Sequence, residues 1–191
     1  HIGQLDLLMD LLPTKVGSPL SIQSIKEDLN TAHETAERYV QILEKLYYCY
    51  RILPFGPAKI KAVKKEKKCY MWDWSICENP GAILENFVAS QLLKFCHYHE
   101  DIYGYNMELR FLKDKEQHEI DFIVIKNKKI LFAVECKSQE TNVSESIKYF
   151  SKRTSIPIFY QTHLGTKDFE STAARTRVLP LTTFCKEILK V

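Results

Sequence analysis

The stretch His118–Ser138 reads HEIDFIVIKNKKILFAVECKS, two apolar runs that carry an acid in the first and an acid–cysteine–lysine triplet at the end of the second. Side chains alternate faces along a strand, so Glu135 and Lys137 project together while Cys136 points the other way. Phe122, Ile123, Val124, Phe132, Ala133 and Val134 surround the charges, and such continuous apolar runs read as strands buried on both faces. Carboxylates at the end of a buried hairpin are costly unless they pair or bind something. A divalent cation held by Asp121 and Glu135, with Lys137 beside it, is the economical explanation. Mg²⁺ or Mn²⁺ suits oxygen donors of this kind. With phosphate oxygens as further ligands, the pattern is that of a metal-dependent phosphodiesterase. The competing interpretation is a hairpin whose charges simply form an ion pair.

Working outward, Asn79-Pro80-Gly81 marks a turn and helix start. The helix expected from about Ala82 to His97 carries Glu85 beside an apolar stripe that includes Val88 and Leu92. Glu85 is therefore a third candidate metal ligand, or else a first-turn acid stabilised by the helix dipole. Glu119 shares the Asp121 face and reads as a further ligand or a solvated strand end. Strands are expected near 105–112, 119–125, 130–137, 156–160 and 178–181, with helices near 143–152 and 182–189. This order puts a mixed sheet between helices.

The first 79 residues differ in character. Leu5, Leu8, Met9 and Leu12 recur at helical spacing, and Pro13, Gly17 and Pro19 interrupt them. Ser21 is placed to cap a helix over 22–29. Thr31 and Glu34 have capping-box spacing for a second helix, with Ala36, Tyr39, Val40, Leu43 and Leu46 on one face. Segments 47–53 and 69–74 read as strands around a lysine-rich loop. Three helices and a hairpin make a winged helix-turn-helix, so the expected organisation is a winged helix over 1–79 and an α/β domain over 80–191.

Lys59, Lys61, Lys64, Lys65, Lys67 and Lys68 crowd the hairpin, opposed only by Glu66. Such a wing can lie along a phosphate backbone and release counterions. Arg38 on the expected recognition helix adds to the candidate DNA contacts. Against groove reading stand His33, Glu34, Glu37 and Glu44 on the same helix, which suit a protein-interaction module better.

The 191 residues are 45% hydrophobic and 27% charged, with a net charge of +3. That is ordinary for a globular protein and too small a charge to argue nucleic-acid binding by itself. The six cysteines include no CxxC pair and read as free thiols in a reducing cytoplasm. Cys96, His97 and His99 lack further soft ligands for zinc and read as the polar end of a helix. No apolar run reaches membrane-spanning length, no leader pattern opens the chain, and no GxxxxGK[ST] loop is present. The start at His1 is expected of a fragment or a tag remnant.

On Asp121, Glu135-Cys136-Lys137 and the preceding helix with Glu85, the second half resembles the PD-(D/E)XK, or restriction-endonuclease-like, nuclease superfamily. The literal Pro-Asp is absent, because Ile120 precedes Asp121. The resemblance implies a restriction-endonuclease-like sheet flanked by helices, Mg²⁺ at Asp121, Glu135 and Glu85, and cleavage of DNA assisted by Lys137. The whole chain is also similar to the C-terminal region of prokaryotic AAA-type ATPases. The matching segments are Thr31–Leu46, Lys68–Asp73, Leu84–Val88, Glu119–Phe122 and Val178–Leu181. That similarity implies an ATPase module upstream. A non-catalytic DNA- or protein-binding module on such an ATPase stays open as the alternative. Oligomeric state is not assigned.

Overall fold

The computed structural model describes residues 2–56 and 66–190. Lys59, Lys61, Lys64 and Lys65 lie outside the described residues. The fold is mixed α/β: helices first, then an eight-stranded mixed sheet with helices on its faces.

Helices α1 (Ile2–Leu11), α2 (Ile22–Asp28) and α3 (His33–Lys45) precede a hairpin of β1 (Cys49–Pro54) and β2 (Lys68–Met71). This element order is compatible with a winged helix. Ser21 caps α2 as expected, accepting from the Ser24 N–H. The capping box on α3 does not form: its N-cap is Ala32, which supplies no side-chain acceptor. Leu46 ends the helix instead of joining its buried face, and is exposed. The strand expected over 69–74 stops at Met71, so Trp72 and Trp74 lie beyond it. Trp72 packs on Tyr47 and Tyr50, and Trp74 lies edge-on to Phe87.

Asn79 starts α4 (Pro80–Tyr103) by accepting from the Gly81 and Ala82 N–H groups, and Gly104, in the left-handed conformation at φ 65°, ends it. Three antiparallel strands follow: β3 (Met107–Lys113), β4 (Glu119–Lys126) and β5 (Lys129–Lys137). The β4–β5 turn places both Asn127 and Lys128 at positive φ, as a two-residue hairpin of primed type requires. Then come α5 (Glu145–Arg153), β6 (Phe159–His163), β7 (Phe169–Ser171), β8 (Thr176–Pro180) and a closing helix that runs from Leu181 into a π-helical turn, Phe184–Leu189. The strand expected at 156–160 begins three residues later, and β7 escaped the sequence because it is short and largely exposed.

Strand order is β2-β1-β3-β4-β5-β6-β8-β7. The N-terminal hairpin thus continues the main sheet, with β1 parallel to β3 through Leu53–Arg110 and Pro54–Phe111. One apolar core runs from Leu8, Leu12 and Val40 through Tyr70, Val88 and Leu92 to Phe122, Val134 and Phe184. A second, under α5, gathers Ile123, Ala133, Ile147, Phe150 and Phe159. The site lies where β2, α4, β4 and β5 meet. All six cysteines are free. Among the described residues, no helix is long and apolar enough to cross a membrane.

Candidate acidic site

Register brings the two candidate ligands together. Phe122 of β4 pairs with Val134 of β5, so one step along the ladder sets Asp121 against Glu135. The Cys136 N–H donates to Asp121 Oδ2 at 2.8 Å and ties the two strand ends. Lys137 Nζ lies 2.8 Å from Glu135 Oε1, so the triplet does place those two side chains together. Glu135 Oε2 is buried and has no hydrogen-bond partner.

Glu85 reaches the site from the first turns of α4. Its Oε1 accepts from Tyr70 OH at 2.8 Å and from Lys68 Nζ at 3.1 Å. Gly17 (φ 76°) makes room for it: a Cβ there would stand 2.8 Å from Glu85 Oε2. Tyr70 is held neutral, since burial first and the Glu85 charge second push its hydroxyl well upward.

Lys68 requires a correction. It does not belong to an exposed wing. It opens β2, is 1% exposed, and its ammonium pairs with Glu85, with Glu119 and, at 3.9 Å, with Asp121 Oδ1. Burial disfavours its charge, but the Glu85, Asp121 and Glu119 carboxylates outweigh that and keep it protonated. Glu119 in turn is no solvated strand end, because it also pairs with Lys113 at 3.1 Å. Sequence inspection missed Lys68 because it closes a run of lysines, and charge runs are ordinarily solvated.

The acids strain against one another. Burial, then Glu135 and Glu85, raise the Asp121 carboxyl well above its usual range, and Lys68 and the Cys136 N–H offset this only in part. Burial also raises Glu135 against the pull of Lys137. Lys137 itself is lifted: burial opposes its charge, and the Glu135 carboxylate overcomes that. A hard cation is the natural partner for such a set, and the orphaned Glu135 oxygen beside Asp121 fits one. Glu85 is not drawn into the same point. Among the described residues, the group whose ligand atoms all lie within 4.8 Å of one another is instead Asp114, Glu116 and His118, on the β3–β4 loop.

Of the other candidates, Arg38 is exposed and Lys67 half-buried. The acids Glu37 and Glu44, expected to face solvent, are clamped by Arg51 of β1, at 3.0 Å and 2.7 Å. Arg51 and the buried Asn86 of α4 carried no signal in the sequence, where one reads as a surface arginine and the other as a polar helix position.

A family model described as Domain of unknown function (DUF4143) matches residues 80–184, more than half the chain. The chain belongs to that family. A second model, Domain of unknown function (DUF8612), matches residues 1–82. No curated protein and no solved structure matches the chain. Membership of the DUF4143 family is consistent with the similarity to C-terminal regions of AAA-type ATPases, and every element of the acidic site except Lys68, Tyr70 and Gly17 falls inside the DUF4143 match.

Proposed function

We propose that this chain is a divalent-cation-dependent phosphodiesterase acting on DNA, built as the C-terminal region of an AAA-type ATPase. The observation that carries the reading is the buried, unpartnered Glu135 Oε2 beside Asp121, with Lys137 on the other Glu135 oxygen. Asp121 and Glu135 would hold Mg²⁺ or Mn²⁺. Bound there, the cation supplies Lewis acidity to a phosphodiester and lowers the pKa of water. Lys137 is protonated and partly exposed, so it offsets charge that builds on the phosphorus and orients water by donating to it; it is not the base. Glu135 fixes Lys137 in that position through Oε1. Arg38, Lys67, Lys59, Lys61, Lys64 and Lys65 remain the candidate contacts to the DNA backbone.

Cleavage of plasmid and single-stranded DNA with Mg²⁺ and with Mn²⁺ tests this. Asp121→Ala and Lys137→Ala should each lower the rate by about a hundredfold or more, as loss of a charge-stabilising group does. Equal cutting by parent and variants, or none by the parent, overturns the catalytic reading.

A second reading rests on Lys68. Its ammonium already sits among Glu85, Glu119 and Asp121, as in a structural ion-pair network. On that view the domain is a non-catalytic DNA- or protein-binding module of the ATPase. It requires no metal, so Mn²⁺ should neither bind at Asp121 nor change stability.

A further inference from the structure

We propose that Lys68 is a tethered counter-cation that competes with a divalent metal for the acidic site, so that the segment before α4 controls metal loading. The inference rests on the cation site of the proposed function. Three observations carry it.

First, the charges nearly balance without a metal. Glu85, Glu119, Asp121 and Glu135 face Lys68, Lys113 and Lys137. A divalent ion added to that set would leave an excess of positive charge in a buried site, where like charges are poorly screened. One ammonium should then give way. Second, Lys68 is the ammonium that blocks the acids. It engages Glu85 and Asp121, which are two of the three candidate ligands, and so occupies carboxylate oxygens that a metal would need. Lys137 pairs with Glu135 and points partly to solvent. Third, Lys68 is carried by an edge strand. β2 pairs with β1 alone and is otherwise covered by the Gly17–Leu20 segment, through Pro19–Lys68 and the Leu20 N–H to Lys67 carbonyl bond. The ammonium thus comes from the N-terminal half while the acids it holds come from α4 and β4, which puts the control of metal loading in the segment before α4.

The experiment is Mn²⁺ titration of the whole chain after EDTA treatment, read by the loss of the free-ion electron paramagnetic resonance signal. All proteins carry His118→Ala, which takes one ligand from the Asp114–Glu116–His118 group as a second place for the ion. Lys68→Met keeps the volume and deletes the charge; Lys68→Arg keeps the charge. Lys68→Met should bind Mn²⁺ at least about tenfold more tightly than the parent, or about 1.4 kcal/mol. Its melting midpoint should be lower in EDTA and recover more than the parent's on adding Mn²⁺. Lys68→Arg should bind no more tightly than the parent. Where Lys68→Met does not fold in EDTA, Lys68→Gln replaces it and the same tightening is expected. Unchanged or weaker binding by the neutral variants overturns the proposal. Because the readout needs no DNA, the two ideas separate. Tighter Mn²⁺ binding without any DNA cleavage would sink the nuclease and keep the competition. Metal-dependent cleavage by a parent whose affinity Lys68→Met leaves unchanged would do the reverse.

Discussion

At the scale of single residues, the fold spends charge where backbone would otherwise go unpaired. Glu140 is the clearest case outside the acidic site. Its carboxylate accepts from the Thr166 and Lys167 N–H groups and anchors the loop between β6 and β7. Those two N–H donors pull its pKa down to about 2. A depressed carboxylate holds the loop fully above its ordinary value of 4.5 and releases it as pH falls toward 2. Gly165 makes the arrangement possible, since a Cβ there would collide with the Glu140 side chain. Gly165→Ala should therefore push the flexible acid aside. Carboxyl NMR titration should show the Glu140 midpoint near 2 in the parent and back toward 4.5 in the variant, with faster amide exchange at Thr166 and Lys167. A midpoint that stays near 2 in Gly165→Ala would refute this account of the loop.

At the scale of elements, a buried amide adds to the Glu85 contacts that hold α4 to the N-terminal hairpin. Asn86 is 0% exposed; its Nδ2 donates to the Met71 carbonyl at 2.8 Å and its Oδ1 accepts from the Met71 N–H at 2.7 Å. Along its outer edge β2 meets the Gly17–Leu20 segment at Lys67, Lys68 and Cys69, and at Met71 the Asn86 side chain completes the ladder that a strand would have completed. Asn86→Ala leaves a buried donor and acceptor unmet, at a cost of about 2–4 kcal/mol. Urea denaturation should show the midpoint falling with little change in slope, whereas a loss below about 0.5 kcal/mol would mean the two groups find other partners. The same pinning explains what could be read ahead of the structure. The hairpin 119–137 and the capped start of α4 were legible because apolar runs, a turn and an Asn-Pro-Gly signal are local. The junctions were not. Nothing local says that Asn86 meets Met71, that Arg51 quenches Glu37 and Glu44, or that Lys68 turns inward from a lysine run. Each depends on which strand lies beside which.

At the scale of the whole molecule, the decisive feature is that the sheet and the core cross from the first half to the second. The two family matches cover 1–82 and 80–184. Yet β1 pairs with β3, Tyr70 packs on Phe122 at 5.7 Å, and Lys68 neutralises acids of α4 and β4. Fold class was readable from the sequence because it follows from element order; this coupling was not, because parallel pairing of β1 and β3 spans more than fifty residues. The coupling has a direct thermodynamic consequence. Two independently stable units would melt separately, whereas one continuous core should unfold in a single cooperative transition. Calorimetry on the full chain should give one peak whose van't Hoff and calorimetric enthalpies agree. A fragment of residues 80–191 should not fold, because removing β1 and β2 exposes the edge of β3, uncovers Phe111 and Phe122, and strips Glu85, Glu119 and Asp121 of their shared ammonium. Two resolved peaks, or a fragment with dispersed NMR signals and a cooperative melt, would show that the halves are joined only in passing, and Lys68 could then not couple one half to the chemistry of the other.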